Sequence, residues 1–310
     1  MARTLEKLRL SRALGLSTRV RMVIFGLLRR LGAVVDWTGL VEVNGFLDSV
    51  LDGNGAVHRR GALLEVEQHC ARLGSTLKAH LRPGTSDPAV WVQIAGHEEY
   101  AVVVERLREL SDIDVATIVD AGANIGLASL YLATAFPRAH ILAIEPDMDN
   151  YELLVRNVDA LGTRVSVVRG AFWPRNEPLR MADAGFRDGR HWARAVERSG
   201  RSPRPAAPHL EVIPPAEAAA RLGVARVDLL KIDIEGAEAE FFDDDGRAGE
   251  LLRTAQAIAI EVHPERIDPL RVLLALDAGG FLVTAGRELL IAIRRERLRG
   301  AHLPGRPPPR

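Results

Sequence analysis

The chain has 310 residues, 47% of them hydrophobic, and 41 basic side chains balance 41 acidic ones. That is enough chain for one large domain plus an extension, and the neutral balance gives no electrostatic support for general nucleic-acid binding. A single cysteine, Cys70, excludes an intrachain disulfide framework and any cysteine-rich zinc cluster.

Residues 1–35 read as one or two helices. In them Arg3, Lys7, Arg9, Arg12, Arg19 and Arg21 alternate with Leu5, Leu8, Leu10, Leu14, Leu16 and Val20. Such a pattern suits either an accessory helix packed on its own domain or peripheral contact with an anionic membrane. The best apolar run, Met22 to Leu28, meets Arg29 and Arg30, too short for a bilayer span or a signal-peptide core. The expectation is a soluble, cytoplasmic protein. Residues 40–95 mix strand-like runs with turn signals such as Asp52-Gly53-Asn54-Gly55 and Arg82-Pro83-Gly84-Thr85.

From Asp114 strands and helices alternate regularly, which predicts a mostly parallel sheet with helices on both faces. Strands are expected near 117–120, 140–145, 165–169, 227–232 and 256–262. Helices are expected near 125–135, 148–161, 215–222, 235–242 and 265–279. Phe281 to Thr284 and Leu289 to Ile293, joined by Ala285-Gly286-Arg287-Glu288, read as a terminal antiparallel hairpin at the sheet edge. Arg187 to Pro208, with Trp192 alone in it, reads as a long loop or lid. The tail beyond residue 295 reads as disordered.

The most specific local signal is Val119-Asp120-Ala121-Gly122-Ala123-Asn124-Ile125-Gly126, a strand end running into a glycine turn and a helix. Glu145 ends the next strand, where nucleotide-binding α/β folds grip a ribose. A dinucleotide fingerprint needs a middle glycine for the pyrophosphate; here that place is Asn124. Asp120 would repel a pyrophosphate but could accept a hydrogen bond from an ammonium. The pattern therefore favours S-adenosylmethionine over NAD. An NAD-dependent oxidoreductase or sugar-nucleotide enzyme and a non-catalytic cofactor-binding protein stay open as alternatives.

Two further strand ends carry polar residues to the same rim. In Leu229-Leu230-Lys231-Ile232-Asp233-Ile234-Glu235-Gly236-Ala237-Glu238, Asp233 sits where such folds place catalytic groups. Glu235 and Glu238 are expected on one face of a helix's first turn, where acids also suit the helix dipole. In Ile258-Ala259-Ile260-Glu261-Val262-His263-Pro264, His263 is a candidate for proton work and Glu261 could orient its ring.

Together DAGANIG, the following Glu145-Pro146-Asp147, Arg156-Asn157, LLKIDIEGAE and IEVH resemble the FkbM-type methyltransferases. Leu81 to Asp87, Glu99-Tyr100 and Gly170 to Pro174 resemble the same family. The resemblance covers roughly residues 80–295, leaving 1–79 as an N-terminal extension and 296–310 as a tail. It implies a Rossmann-like, S-adenosylmethionine-dependent enzyme that methylates a hydroxyl on a sugar, glycan or secondary metabolite. It also implies that Asp120, Gly122, Asn124 and Gly126 surround the methionine part and that Glu145 holds the ribose. Asp233 or His263 is then expected to take the acceptor's proton, with Glu235 binding the acceptor. Magnesium between Asp233 and Glu235 is conceivable but not favoured. Oligomeric state is not legible.

Overall fold

The computed structural model describes residues 2–30, 38–182, 196–198, 210–242 and 248–300. Among the described residues, thirteen strands fall into three sheets. The first is an antiparallel meander of β1 (Ala56–Arg60), β2 (Leu63–Cys70) and β3 (Ser75–Leu81). The large sheet contains β4 (Thr117–Ala121), β5 (His140–Glu145) and β6 (Val165–Phe172). A ribbon of β7 (Leu179–Met181) and β8 (Val196–Arg198) stands apart. The large sheet continues with β9 (Glu211–Ile213), β10 (Val227–Ile232), β11 (Ala255–Glu261), β12 (Phe281–Gly286) and β13 (Leu289–Arg294). Its spatial order is β12-β13-β11-β10-β4-β5-β6-β9.

All neighbouring pairs from β9 to β11 are parallel, whereas β13 is antiparallel to both β11 and β12. Strand order reverses between β4 and β10, so a crevice opens between their carboxyl ends, the usual ligand position in such sheets. The expected hairpin is present, but β13 inserts between β11 and β12, leaving β12 at the edge. Register pairs Leu289 with Glu261 and so carries the hairpin turn to the same carboxyl rim.

Side-chain alternation along the strands splits the core into two layers. Ile118, Ile141, Leu229, Ala257 and Ile291 pack on one face with the helix Leu127–Ala135 and with the N-terminal elements. Val119, Leu142, Leu230, Ile258 and Ala292 pack on the other, beneath the helices Pro215–Arg221, Ala248–Arg253 and Pro269–Ala278. The result is a mixed α/β fold with a central sheet and flanking helices.

The N-terminal elements join the first layer directly. Thr38–Asp52, part of the stretch read as short strands, is a helix that buries Phe46, Leu47 and Val50. Its apolar spacing from Val43 to Val50 is helical, but Asn44, Gly45 and the β-branched valines weaken the intrinsic preference. Arg3 and Lys7 pair with Asp48, so part of the basic N-terminal face is matched by this helix. Among the described residues no helix is long and apolar enough to cross a membrane.

Residues 298–299 return to the domain: Leu298 bridges Ser111, and the Arg299 amide donates to the Leu110 carbonyl at 2.8 Å. The tail expected to be disordered from residue 296 is instead ordered through 300, beginning with the turn Arg295–Arg297; residues 301–310 lie outside the described residues, as does most of the 187–208 loop including Trp192. Within that loop Val196–Arg198 is a strand, paired with Leu179–Met181.

Candidate active site

The glycine turn is fixed by backbone geometry. Gly122 has φ +75°, and a Cβ there would lie 1.7 Å from the Asp233 carbonyl oxygen. Only glycine lets the turn press against the end of β10. The amides of Gly122 and Ala123 both donate to the Ile144 carbonyl at 3.0 Å, and the Asp233 amide donates to Ala121 at 3.1 Å. Gly126, at φ +86°, then opens the helix Leu127–Ala135. Asn157 braces the far side: its amide nitrogen donates to Ile125 at 2.8 Å and to His80 at 3.1 Å. Arg82, bidentate on Asp87 at 2.9 Å, reaches Asn150 at 2.7 Å. The Arg156-Asn157 and Leu81 to Asp87 signals are thus braces that lock the meander to the turn.

Asp120 does not face the crevice. It is fully buried, accepts a hydrogen bond from the Ser129 hydroxyl at 2.6 Å, and lies 3.0 Å from the Lys231 ammonium. Strand register sets the pair side by side across β4 and β10. Lys231 in turn donates to the Gly122 carbonyl at 2.6 Å, so a buried ion pair fastens the turn from beneath. Where the sequence reading set a cofactor ammonium against Asp120, the structure places the Lys231 ammonium. Lys231 went unread in the sequence, although a lysine amid Leu229, Leu230 and Ile232 is the kind of buried charge that demands a partner.

Above the turn lies a small cleft. Gly122, Asn124, Glu145, Phe172, Asp233 and Glu235 are among the residues that line it; Asp120 and Gly126 are not. Asn124 takes the left-handed conformation at φ +50°. Its side-chain oxygen is buried with no hydrogen-bond partner among the described residues. Glu145 accepts from the Asn124 amide at 2.8 Å and the Asp147 amide at 2.9 Å. Burial, opposed by those two amides, raises its pKa from 4.5 to about 7. On the wall opposite the glycine turn, Phe172 stacks on Phe241 at 5.1 Å between ring centres.

Asp233 belongs both to this cleft and to an acidic group on its other side. The expected helix over 235–242 is shorter, Ala239–Phe242. Glu235, at φ +55°, and Gly236, at φ +91°, form a turn before it, so Glu235 and Glu238 do not share a helix face. Glu238 is fully buried instead. It accepts from the Ile234 amide at 2.8 Å and holds His263 Nδ1 at 3.1 Å. His263 is itself buried, with Nε2 3.8 Å from both Glu235 and Glu261. Glu238, rather than Glu261, therefore orients the ring. Burial disfavours the imidazolium, but Glu238, Asp233 and Glu261 outweigh it and raise the His263 pKa. Burial, reinforced by Asp233, raises that of Glu261. Burial likewise raises Asp233, against the pull of Lys231 and His263. Glu99 arrives from the N-terminal side and Glu288 from the hairpin turn, and both converge on Glu261. Burial and then Asp233 push the Glu99 pKa up to about 7.

The three expected catalytic positions, Asp233, Glu235 and His263, are thus brought together. Of the five expected cofactor positions, Gly122, Asn124 and Glu145 meet in the cleft, while Asp120 and Gly126 support it from behind.

The family described as "Methyltransferase FkbM domain" matches residues 120–283. Methyltransferase sdnD of Sordaria araneosa is 31% identical over 202 residues, covering 55% of this chain and 75% of that protein. Ribosomal RNA small subunit methyltransferase G of Mycobacterium sp. (strain KMS) is 47% identical over 53 residues, 17% of this chain and 24% of that one. Among solved structures, the FkbM methyltransferase of Methylobacillus flagellatus KT has a TM-score of 0.38 and 17% identity. That match covers 58% of this chain and 44% of the Methylobacillus chain, so this chain spans less than half of it.

Proposed function

Since this chain belongs to the FkbM methyltransferase domain family, we propose that it moves a methyl group from S-adenosylmethionine to a hydroxyl of a small-molecule, sugar or glycan acceptor. The supporting observation is the cleft itself, lined by Asn124 with its unpartnered oxygen, the buried Glu145 carboxylate and Asp233.

The donor set fits that cofactor. Asn124 supplies a lone acceptor for an ammonium, the place the sequence assigned to Asp120. Glu145 has remaining lone pairs for ribose hydroxyls, and among the described residues no cationic side chain lines the cleft to greet a pyrophosphate. When bound, the cofactor supplies a methyl carbon already activated by a sulfonium. The protein's share of the work is alignment, which contributes several kcal/mol in such transfers. Asp233, raised by burial and shared between the cleft and the acidic group, takes the acceptor's proton. His263, fixed by Glu238, stands behind Glu235, which binds the acceptor. Neutral overall charge favours a small acceptor over a nucleic acid.

Calorimetric titration with S-adenosylhomocysteine, with NAD in parallel, tests this reading. Micromolar binding of the first is expected, weakened at least tenfold in Asn124→Ala and Glu145→Ala. Asp233→Asn should keep that binding and lose turnover. Binding of NAD in place of S-adenosylhomocysteine overturns the proposal.

A further inference from the structure

The acidic group beyond Asp233 contains more order than a solvated cluster of carboxylates needs. Asp233, Glu261 and His263 each offer a ligand atom, and those atoms lie within 4.8 Å of one another. They come from the carboxyl ends of two adjacent parallel strands, β10 and β11. The imidazole is not free to turn. Glu238 is 0% exposed and grips Nδ1, which leaves Nε2 pointed at Glu235 and Glu261. A buried carboxylate on the far nitrogen is the arrangement that sets tautomer and orientation in metal-ligating histidines.

Glu99 provides a second, separate observation. It is only 9% exposed, and among the described residues its carboxylate has no hydrogen bond or ion pair. Its oxygen nevertheless lies within 4.8 Å of those of Glu261 and Glu288. A carboxylate mostly withdrawn from water without a donor favours a cation or a proton, and Arg287 acts on it only at a distance. The nearby ammonium of Lys231 is committed to Asp120 and to the Gly122 carbonyl.

We propose that Asp233, Glu261 and His263 Nε2 bind a divalent cation at the rim next to the cofactor cleft, with Glu99 completing the charge around it. Two carboxylates and one imidazole suit a borderline divalent cation such as manganese better than magnesium, which prefers all-oxygen ligands. Asp233 and Glu261 are both partly exposed and have room to close on an ion. Asp233 is shared between this site and the cleft, so an ion held there would favour an oxygen-rich acceptor, a sugar hydroxyl pair or a similar chelating group. That role rests on the methyltransferase reading; the binding of the ion does not.

The test uses the full chain stripped with a chelator and titrated with Mn²⁺, following the free ion by electron paramagnetic resonance. One ion per chain is expected at well below millimolar concentration, weakened at least about tenfold in Glu261→Gln and in Asp233→Asn. Glu67→Gln, an exposed acid on the meander, should leave it unchanged. S-adenosylhomocysteine titration without metal, together with thermal melting, reports whether each variant is folded. Absence of a wild-type site below millimolar overturns the proposal, as does unchanged affinity in both folded rim variants. Mn²⁺ binding without S-adenosylhomocysteine binding would instead overturn the methyl-donor reading alone.

Discussion

Replacing Lys231 with methionine keeps the length of the side chain and removes its charge. Asp120 would then be left fully buried with one hydrogen bond, from Ser129, and no counter-charge at 3.0 Å. Breaking a buried pair in this way costs about 3–5 kcal/mol. Asp120→Asn is the milder half of the comparison. Lys231 would keep the Gly122 carbonyl at 2.6 Å, the Ala121 carbonyl at 3.4 Å and Asp233 at 3.8 Å. Three remaining acceptors limit that cost to about 1–3 kcal/mol, in the range of a lost charged hydrogen bond. The double variant removes both charges together, so it should cost less than the sum by about 1–3 kcal/mol, the coupling typical of residues in contact. Urea unfolding followed by circular dichroism measures all three, provided the transitions are reversible and keep a common slope. Cofactor affinity should fall in Lys231→Met, because the Gly122 carbonyl loses its anchor under the turn. Additive costs, or a Lys231→Met penalty below about 1 kcal/mol, would refute the claim that this pair fastens the glycine turn.

The glycines should rank by what their missing Cβ would meet. Gly122→Ala combines positive φ with a backbone oxygen at 1.7 Å, and should lose more than about 3 kcal/mol and S-adenosylhomocysteine binding with it. Gly126→Ala meets the Leu154 methyl at 2.6 Å, a side chain able to move, and Gly162→Ala meets nothing within 4 Å, so only the backbone term of about 1–2 kcal/mol remains there. Melting curves giving any other order would contradict the close approach of the turn to β10. Glu145 carries a pH signature of two opposite signs. Its pKa is raised by folding from 4.5 to about 7, so the stabilising proton is present below 4.5 and lost as pH rises through 7. Stability should therefore decline across that window, and the decline should be absent in Glu145→Gln. Ribose hydroxyls prefer the ionised acceptor, so S-adenosylhomocysteine affinity should rise across the same window and level off above it. A flat affinity profile in calorimetry from pH 5.5 to 8.5 would remove Glu145 from the ribose site.

The parts of this molecule that were legible in sequence share one cause. Where a strand is buried on both faces, as in Ile141 to Glu145 or Val227 to Ile232, a short apolar run bounded by polar residues marks both its limits and the rim it reaches. Gly122 and Glu145 could be placed because each answers a local demand, a forbidden Cβ and a strand end. What stayed hidden depends on neighbours distant in the chain. Nothing within 115–130 says that Asp120 is already neutralised, since Lys231 lies more than a hundred residues on and meets it only through the β4–β10 register. Glu238 has the spacing of a helix-dipole acid, yet the left-handed turn at Glu235 and Gly236 rotates it inward onto His263. Under the proposed function, the same reasoning moves the ammonium contact from Asp120 to Asn124. A carboxylate at the end of the first strand suggests the acceptor, but a charge needed by Lys231 cannot serve twice. The neighbouring amide oxygen of Asn124, buried and without a partner, is what the turn leaves for a ligand. Read together, the buried pair and the orphaned amide divide one function: Asp120 and Lys231 hold the turn still, and Asn124 presents it.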